Sequence, residues 1–271
     1  MRLKLWQVDA FAEKPFAGNP AAVVPLESWL DDALMQSIAN ENNLSETAFF
    51  VPREEGFYDL RWFTPSAEVE LCGHATLASA WVIFSELGIA GDRVRFATRS
   101  GVLSVDRGEA GHNRMALPAD PVRPYASPAG FAQELGAALG VRAPDEMHRG
   151  RYLFAVWNDS ASIRSINPGS AFTPLLRQTG FWGLIVTGEG DGKPYDCVSR
   201  FFAPDKGVFE DPVTGSAHCA IVPYWAKRLG KSAIRAYQAS PRGGDLQCTD
   251  EGARVVLSGP CALYMRGKIE V

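Results

Sequence analysis

Two apolar segments of this chain repeat each other about half a chain length apart, and this repeat restricts the possible fold more than any other feature. The segment GHATLASAWVIFSELG covers residues 73–88, and GSAHCAIVPYWAKRLG covers residues 215–230. Both have the same length and end in Leu-Gly, and a short FTP motif at 63–65 recurs as FAP at 202–204. Matched order and matched length favour an internal duplication over a chance likeness.

Strand-like segments with alternating hydrophobicity precede each apolar segment. A helix that is apolar on all sides must be enclosed, and strands on every side would enclose it. The sequence therefore predicts an α+β fold of two pseudo-symmetric halves, each a curved, mostly antiparallel sheet wrapped around a central apolar helix. Short helices such as LDDALMQSIANENN are expected to cover the outside. The Pro-rich segment LPADPVRPYASPAG predicts a boundary that separates residues 1–118 from residues 119–271.

Composition and charge exclude several classes of protein. The chain has 271 residues, a net charge of −4 and no basic stripe, so no nucleic-acid partner is expected. It has no apolar stretch long enough to span a bilayer, and its N-terminus lacks the apolar region of a signal peptide. Five cysteines without a CxxC pair fit reduced thiols, and four histidines without ligand spacing argue against a metal. We therefore expect a cytoplasmic protein with no membrane partner.

Each repeated segment starts at a glycine, Gly73 in the first half and Gly215 in the second. The first N–H groups of a helix have no intrahelical partner and carry partial positive charge, and glycine lets a ligand approach closely. Two such starts facing one cleft between the halves would suit a carboxylate-bearing substrate. The alternative is an ordinary helix start capped by Thr214 or Ser216.

Three side chains near these motifs are candidates for catalysis. Glu46 stands at the mouth of an apolar strand, where a carboxyl group is suited to act as a general acid and base. A helix capping box is the alternative for Glu46, although a strand pattern follows it. His74 can hold or polarise a substrate oxygen, or it is a core histidine. Asp211 can bind a substrate amine or orient His74, or it is a turn residue before a proline.

Five motifs occur in matching order over nearly the whole chain: FAGNPAAVV, NNLSETAFF, WFTPSAEVELCGHATLASA, SRFFAP and EDPVTGSAH. Together they resemble the PhzF-like family of phenazine-biosynthesis proteins, which share the diaminopimelate epimerase fold. The resemblance implies a homodimeric isomerase that uses no metal and no cofactor. Its glutamate moves a proton between carbon atoms of a small carboxylated substrate.

The resemblance also assigns roles to residues of this chain. It implies that Glu46 carries the proton and that His74 and Asp211 complete the catalytic set. The residues predicted to bind substrate are Gly73, Gly215, Ser216 and Asn19.

Two other functions stay open. Epimerases of this fold use two cysteines, one at each helix start; here Cys72 stands at the first position and Thr214 at the second. A threonine hydroxyl is too weakly acidic to replace a thiolate, which favours a single base. The alternatives are a cysteine-based amino-acid epimerase or racemase and a non-catalytic binding or scaffold protein. The sequence does not identify the substrate or place the chain in a phenazine pathway.

Overall fold

The computed structural model describes residues 1–89, 91–190, 192, 194–206 and 208–271. The strands are β1 (Arg2–Ala10), β2 (Asn19–Pro25), β3 (Glu46–Glu54), β4 (Phe57–Phe63), β5 (Glu68–Val69), β6 (Arg93–Thr98), β7 (Gly101–Asp106), β8 (Asn113–Pro118), β9 (Arg123–Pro124), β10 (Glu146–Arg149), β11 (Leu153–Trp157), β12 (Leu184–Glu189), β13 (Cys197–Ala203), β14 (Val208–Asp211), β15 (Ala233–Gln238), β16 (Gly244–Asp250), β17 (Arg254–Gly259) and β18 (Cys261–Glu270). The helices are α1 (Asp32–Asn42), α2 (Gly73–Trp81), α3 (Phe131–Leu139), α4 (Ser160–Ser165), α5 (Phe172–Gln178) and α6 (Gly215–Leu229). In this part of the chain, no helix combines the length and the apolar character that crossing a membrane requires.

The chain divides into two compact units. One contains residues 1–117 and 256–271, and the other contains residues 118–255. The sequence predicts residues 256–271 in the second half, whereas in the structure they lie in the first unit. The physical reason is that β18 forms a long antiparallel ladder with β1, in which Arg2 pairs with Glu270 and Ala10 pairs with Cys261.

The two units share one pattern of strand pairing. In the first unit, β2 is parallel to β3, β3 is antiparallel to β4, β4 is parallel to β6, and β6 is antiparallel to β7. In the second unit, β11, β12, β13, β15 and β16 follow the same series of directions. In each unit the repeated helix is the crossover that makes the third pairing parallel. The repeat in the sequence is therefore a repeat of topology.

Helix α2 is enclosed by strands of its own unit. It packs against β1, β2, β3, β7 and β18, and every residue from His74 to Ala80 is buried. Its two hydroxyl side chains bond back into the helix, from Thr76 Oγ1 to the Cys72 carbonyl and from Ser79 Oγ to the Ala75 carbonyl. These bonds satisfy the two buried hydroxyls, so the helix can contain them and still lie in a core. The chain continues as a π-helical turn over Val82–Glu86.

Helix α6 packs against β15 and β16 and passes through Pro223 without ending. A proline cannot donate to the carbonyl four residues before it, which here belongs to Cys219. The Asp120 N–H donates to that carbonyl instead, at 2.9 Å. A neighbouring segment thus satisfies the carbonyl that the proline leaves unpaired, which explains how this helix tolerates Pro223.

Short helices cover the other side of each sheet, as predicted. Helix α1 packs against β3 and β4, and α4 packs against β11, β12 and β13. The buried core beneath α1 consists of Leu5, Ala22, Val24, Leu26, Met35, Ile38, Ala39, Phe49 and Phe63.

Candidate active site

The first repeated helix, α2, begins without a capping side chain. Its N-cap residue is Cys72, which has extended backbone angles and makes no capping hydrogen bond with its side chain. The first intrahelical bond runs from the Thr76 N–H to the Cys72 carbonyl. The N–H groups of Gly73 and His74 come before that bond and have no partner within the helix. This helix start can therefore donate hydrogen bonds to a ligand, as the sequence predicts.

Glu46 and His74 form a close acid–base pair in the first unit. Glu46 is the first residue of β3 and pairs with Ala21 of the parallel strand β2. Its Oε2 atom lies 3.1 Å from His74 Nε2, and the exposed fractions of the two side chains are 16% and 5%. Both atoms are buried. Because their contact lacks hydrogen-bond geometry, neither has a hydrogen-bond partner in the described part of the chain. A substrate group can therefore satisfy both.

Asn19 approaches the other side of the His74 ring. Its Nδ2 atom lies 3.1 Å from His74 Nδ1. Because an amide nitrogen only donates, Nδ1 accepts here, and the neutral ring carries its proton on Nε2, the nitrogen that faces Glu46. When the ring is protonated on both nitrogens, a flip of the Asn19 amide offers its oxygen to Nδ1 instead. The first residue of β2 thus orients the histidine in either protonation state.

Burial and charge determine the protonation states around His74. Burial lowers the pKa of His74, but Cys72 and Glu46 together raise it by more, so the pKa lies well above 6.5. Burial, and then the Glu46 carboxylate, raise the pKa of the Cys72 thiol to about 11. A thiol with that pKa is uncharged at neutral pH. The charge contribution of Cys72 requires a thiolate, so at neutral pH Glu46 is the charge that opposes the effect of burial on the pKa of His74.

Glu46, Cys72 and His74 include the atom types that bind transition metals, and their ligand atoms lie within 4.8 Å of one another. However, Cys72 Sγ lies 3.5 Å from Nδ1 of the imidazole, whereas the carboxylate lies beside Nε2. One ion binds one nitrogen of an imidazole ring, so these three side chains do not fit a single ion in this arrangement.

The second repeated helix, α6, also begins without a capping side chain. Its N-cap residue, Thr214, does not cap the first turn. Its hydroxyl donates instead to Asp211 Oδ2, at 2.5 Å. Capping by Thr214, the alternative considered from the sequence, is therefore not what the structure shows. The N–H groups of Gly215 and Ser216 come before the first intrahelical bond of α6 and are open to a ligand.

Gln238, which the sequence analysis did not select, holds this helix start in place. Its Oε1 atom accepts from the Thr214 N–H at 2.9 Å, and its Nε2 atom donates to the Asp211 carbonyl at 2.7 Å. The side chain is completely buried at the end of β15. The available signal was a polar residue at a buried position of an alternating strand, which indicates a satisfied hydrogen-bonding role.

A serine holds the segment before each helix in the same way. Ser100 Oγ donates to the Glu70 carbonyl at 2.8 Å, and Ser240 Oγ donates to the Pro212 carbonyl at 2.8 Å. Each carbonyl lies two residues before the N-cap of its helix. Equivalent contacts at equivalent positions show that the repeat extends to the side chains that shape the two helix starts.

Ser216 is the accessible residue at the start of α6. Gly215 and the residues from Ala217 to Val222 are buried, whereas Ser216 is partly exposed. Its hydroxyl lies 2.9 Å from the phenol oxygen of Tyr152. The sequence analysis did not select Tyr152, and no local pattern marks it.

The second unit has no room for a counterpart of Glu46. Thr47 pairs with Phe63 in the first unit, and Leu184 pairs with Phe202 in the second. Thr47 and Leu184 are therefore equivalent. The residue before Thr47 is Glu46, and the residue before Leu184 is Gly183. A Cβ atom on Gly183 would lie 2.8 Å from the Phe201 ring and 3.0 Å from the Tyr152 ring. Aromatic side chains therefore fill the space that a second acid would need.

His218, on α6, is also a buried histidine, but its pKa is shifted in the opposite direction from that of His74. It is completely buried, and its Nδ1–H donates to the Thr214 carbonyl at 2.8 Å. Burial lowers the pKa of His218 to about 4. It is therefore neutral at physiological pH, which fits the structural interpretation of a lone histidine on an apolar helix.

We expect the protein to lose stability in mild acid because of His218. Its pKa is lower in the folded state than in the unfolded state, so the unfolded chain takes up the proton first as the pH falls below 6.5. The resulting loss between about pH 7 and pH 5 is about 2 kcal/mol. Urea unfolding at both pH values measures it. His218→Asn keeps a donor for the Thr214 carbonyl and should lose less; equal losses in the two proteins would contradict the assignment.

The structure places the seven predicted site residues in two groups. The first unit contains Glu46, Gly73, His74 and Asn19 around the start of α2. The second unit contains Asp211, Gly215 and Ser216 around the start of α6.

Comparison with known proteins agrees with the motifs. The model of the family described as phenazine biosynthesis-like protein matches residues 8–267. A Pseudomonas aeruginosa protein named as an uncharacterized isomerase is 49% identical, with 100% of both chains covered. The Homo sapiens phenazine biosynthesis-like domain-containing protein is 38% identical over 99% of both chains. A crystal structure of a PhzF family protein from Enterococcus faecalis has a TM-score of 0.92 and 43% identity, with 100% of both chains covered. This likeness confirms the predicted fold class.

Proposed function

The chain belongs to the phenazine biosynthesis-like protein family, and we propose that it is an isomerase in which Glu46 moves a proton within a small carboxylated substrate. The reaction requires no cofactor. Glu46 takes a proton from a carbon atom next to a double bond, and the electron pair of that C–H bond forms a new double bond. The π electrons of the original double bond shift to its far atom, which takes the proton back from Glu46. One group that removes and returns the proton leaves atoms and electrons balanced without a co-reactant.

The observation that carries this proposal is the pair formed by Glu46 and His74. The carboxylate and the imidazole lie 3.1 Å apart, both side chains are largely buried, and the two facing atoms have no hydrogen-bond partner within the described residues. A base in such a position is shielded from water and oriented by its neighbour, while Asn19 orients that neighbour. His74 Nε2 carries a proton in either protonation state of the ring, so it can donate a hydrogen bond to charge that develops on the substrate.

The start of α6 supports the assignment of a carboxylated substrate. The uncapped N–H groups of Gly215 and Ser216 and the accessible Ser216 hydroxyl are all suited to an anion. Asp211 is held by Thr214 and Gln238, and we propose that it binds a polar group of the substrate. The proposal requires that Asp211 and Glu46 act on one substrate molecule. A homodimer and a cytoplasmic location stay predictions.

A cysteine-based epimerase is the alternative that the same residues argue against. The Cys72 thiol is buried, and its pKa is raised to about 11. The equivalent position at the start of α6 is Thr214, and the second unit has no acid at Gly183.

We accordingly expect Cys72 to be dispensable for catalysis. Treatment with iodoacetamide at neutral pH should leave activity unchanged, because a buried and uncharged thiol is a poor nucleophile. Cys72→Ala should keep activity within about threefold of wild type, since it removes only a small contact with His74. An inactive Cys72→Ala protein with normal folding would favour the epimerase.

Proton NMR in D₂O tests the proposed function directly. The protein is incubated with small cyclic acids and amino acids, including dihydro-hydroxyanthranilic acid and diaminopimelate. Deuterium incorporation or isomerisation that requires Glu46 supports the proposal. Exchange that requires Cys72 but not Glu46 would replace it with the epimerase. If no compound exchanges while one raises the melting temperature, the binding-protein alternative is favoured.

A further inference from the structure

Ser216 occupies a helix position where its hydroxyl is not drawn back into the helix. The two buried hydroxyls of α2 each bond to the carbonyl four residues earlier, from Thr76 to Cys72 and from Ser79 to Ala75. For Ser216 that carbonyl belongs to Pro212, which lies before the helix and already accepts from Ser240. The orientation of the Ser216 hydroxyl must therefore be determined by another group.

Tyr152 is that group. Its phenol oxygen lies 2.9 Å from Ser216 Oγ, the one hydrogen bond of this phenol in the described part of the chain. Burial raises the pKa of Tyr152, so the phenol stays protonated at physiological pH. The distance allows either hydroxyl to donate, and a phenol is a stronger donor than an aliphatic hydroxyl, which favours the arrangement with Tyr152 as donor and Ser216 as acceptor. The Ser216 O–H remains available to donate to a ligand on its accessible side.

Surrounding aromatic residues hold the Tyr152 ring in place. It contacts Trp182 and Phe201 edge to face, with ring centroids 4.9 Å away in both cases. The backbone at Gly183 lies directly against it, close enough that even a Cβ atom would lie 3.0 Å from the ring. A phenol held on three sides cannot move away from Ser216 without disturbing the core, so its hydroxyl is preorganised.

Tyr152 makes a contact in the second unit like the one that Glu46 makes in the first, although Gly183 is the residue at the position equivalent to Glu46. In each unit, a side chain from the strand region contacts the residue that follows the first helical glycine: Glu46 contacts His74, and Tyr152 contacts Ser216. The first contact joins an acid and a base, whereas the second joins two hydroxyls that do not ionise at neutral pH. The duplicated geometry has therefore separated into a proton-transferring pair and a hydrogen-bonding pair.

We propose that Tyr152 is a positioning residue that turns the Ser216 O–H toward the carboxylate of the substrate. The inference rests on the proposed function, because it assumes that Ser216 binds that carboxylate. Trp182 beside Tyr152 is partly exposed, and the side chains of Arg151 and Lys206 lie over its ring. Aromatic surface and positive charge next to Ser216 favour a planar anion, such as a ring carboxylate.

Calorimetric binding of two matched probes tests the proposal. One probe is 2-aminobenzoate, a planar ring carboxylate, and the other is its uncharged amide, 2-aminobenzamide. We expect wild type to prefer the carboxylate, Ser216→Ala to weaken carboxylate binding about tenfold, and Tyr152→Phe to weaken it about fivefold. Both variants should weaken binding of the amide less than binding of the carboxylate. A merely structural defect would instead weaken binding of both probes alike.

The double variant distinguishes positioning from an independent contact. If Tyr152 acts through Ser216, Tyr152→Phe should have no effect on carboxylate binding once Ser216→Ala is present. Tyr224→Phe is the matched control, because it removes another phenol of this unit that contacts Glu146 and should leave both affinities unchanged. Additive losses, an unchanged Tyr152→Phe protein, or a wild type without preference for the carboxylate would each overturn the proposal. Glu46-dependent exchange is measured separately, so failure of this proposal and failure of the proposed function can be distinguished.

Discussion

Replacing Glu46 by glutamine is expected to lower the rate of proton exchange about a thousandfold, because the amide cannot take up the proton. Glutamine has the shape of glutamate and can still contact His74, so the fold should persist. The variant also removes the carboxylate charge that raises the pKa of His74, which should then fall. NMR titration of the His74 ring measures that change without any substrate, and exchange in D₂O measures the loss of catalysis.

Two further variants make this prediction specific. Glu54→Gln is the matched control, because Glu54 ends the strand that Glu46 begins and pairs with Arg95 at the surface. It should leave exchange unchanged. Glu46→Asp keeps the carboxylate but shortens its reach, and we expect a loss of about a hundredfold, because proton transfer depends steeply on position. A Glu46→Gln protein with full activity would rule out Glu46 as the proton carrier.

Replacing Gln238 by leucine is expected to destabilise the protein by about 3 kcal/mol, since leucine fills similar space but cannot bond to the two backbone groups that the buried Gln238 amide contacts. These groups are the Thr214 N–H and the Asp211 carbonyl, which both bond to the Gln238 amide. Urea unfolding measures the change. Because the same bonds hold the start of α6, the folded variant should also bind 2-aminobenzoate more weakly.

Gln36→Leu is a suitable control for Gln238→Leu. Gln36 is a partly buried glutamine on α1 that makes one hydrogen bond, to the Thr64 carbonyl, at 2.9 Å. We expect it to lose less than about 1 kcal/mol, because the Gln36 side chain is partly exposed and its substitution removes one hydrogen bond. Similar losses for the two variants would show that the buried Gln238 amide has no special role at the helix start.

The repeated helices illustrate what could be predicted locally. Their small apolar residues and initial glycines are consecutive in the sequence, and the structure starts them at Gly73 and Gly215, as expected. The predicted site residues Glu46 and His74 also come together, with Oε2 of the first 3.1 Å from Nε2 of the second. That distance did not follow from any local pattern, because it depends on the parallel pairing of β2 with β3 and on the place of α2 beside them.

The groups that support the candidate site were beyond sequence reasoning. Gln238 lies 24 residues from Thr214, and Tyr152 lies 64 residues from Ser216. Neither pair has a periodic spacing that would join it within one helix or strand. The division into halves shows the same limit: β18 looks like a terminal strand of the second half, but its hydrogen-bonding partner is β1.

The amino-acid sequence by itself determined the repeat, the two glycine-led helices and the side chains available for chemistry, because these depend on residue type and short-range period. Only the tertiary structure decided which of those side chains act together and in which protonation state. Burial keeps the Cys72 thiol neutral, and the Glu46 carboxylate acts to raise the pKa of His74. Tyr152 and Phe201 fill the space where a second acid would stand. The reason is that burial and charge act through space, between atoms that folding brings together.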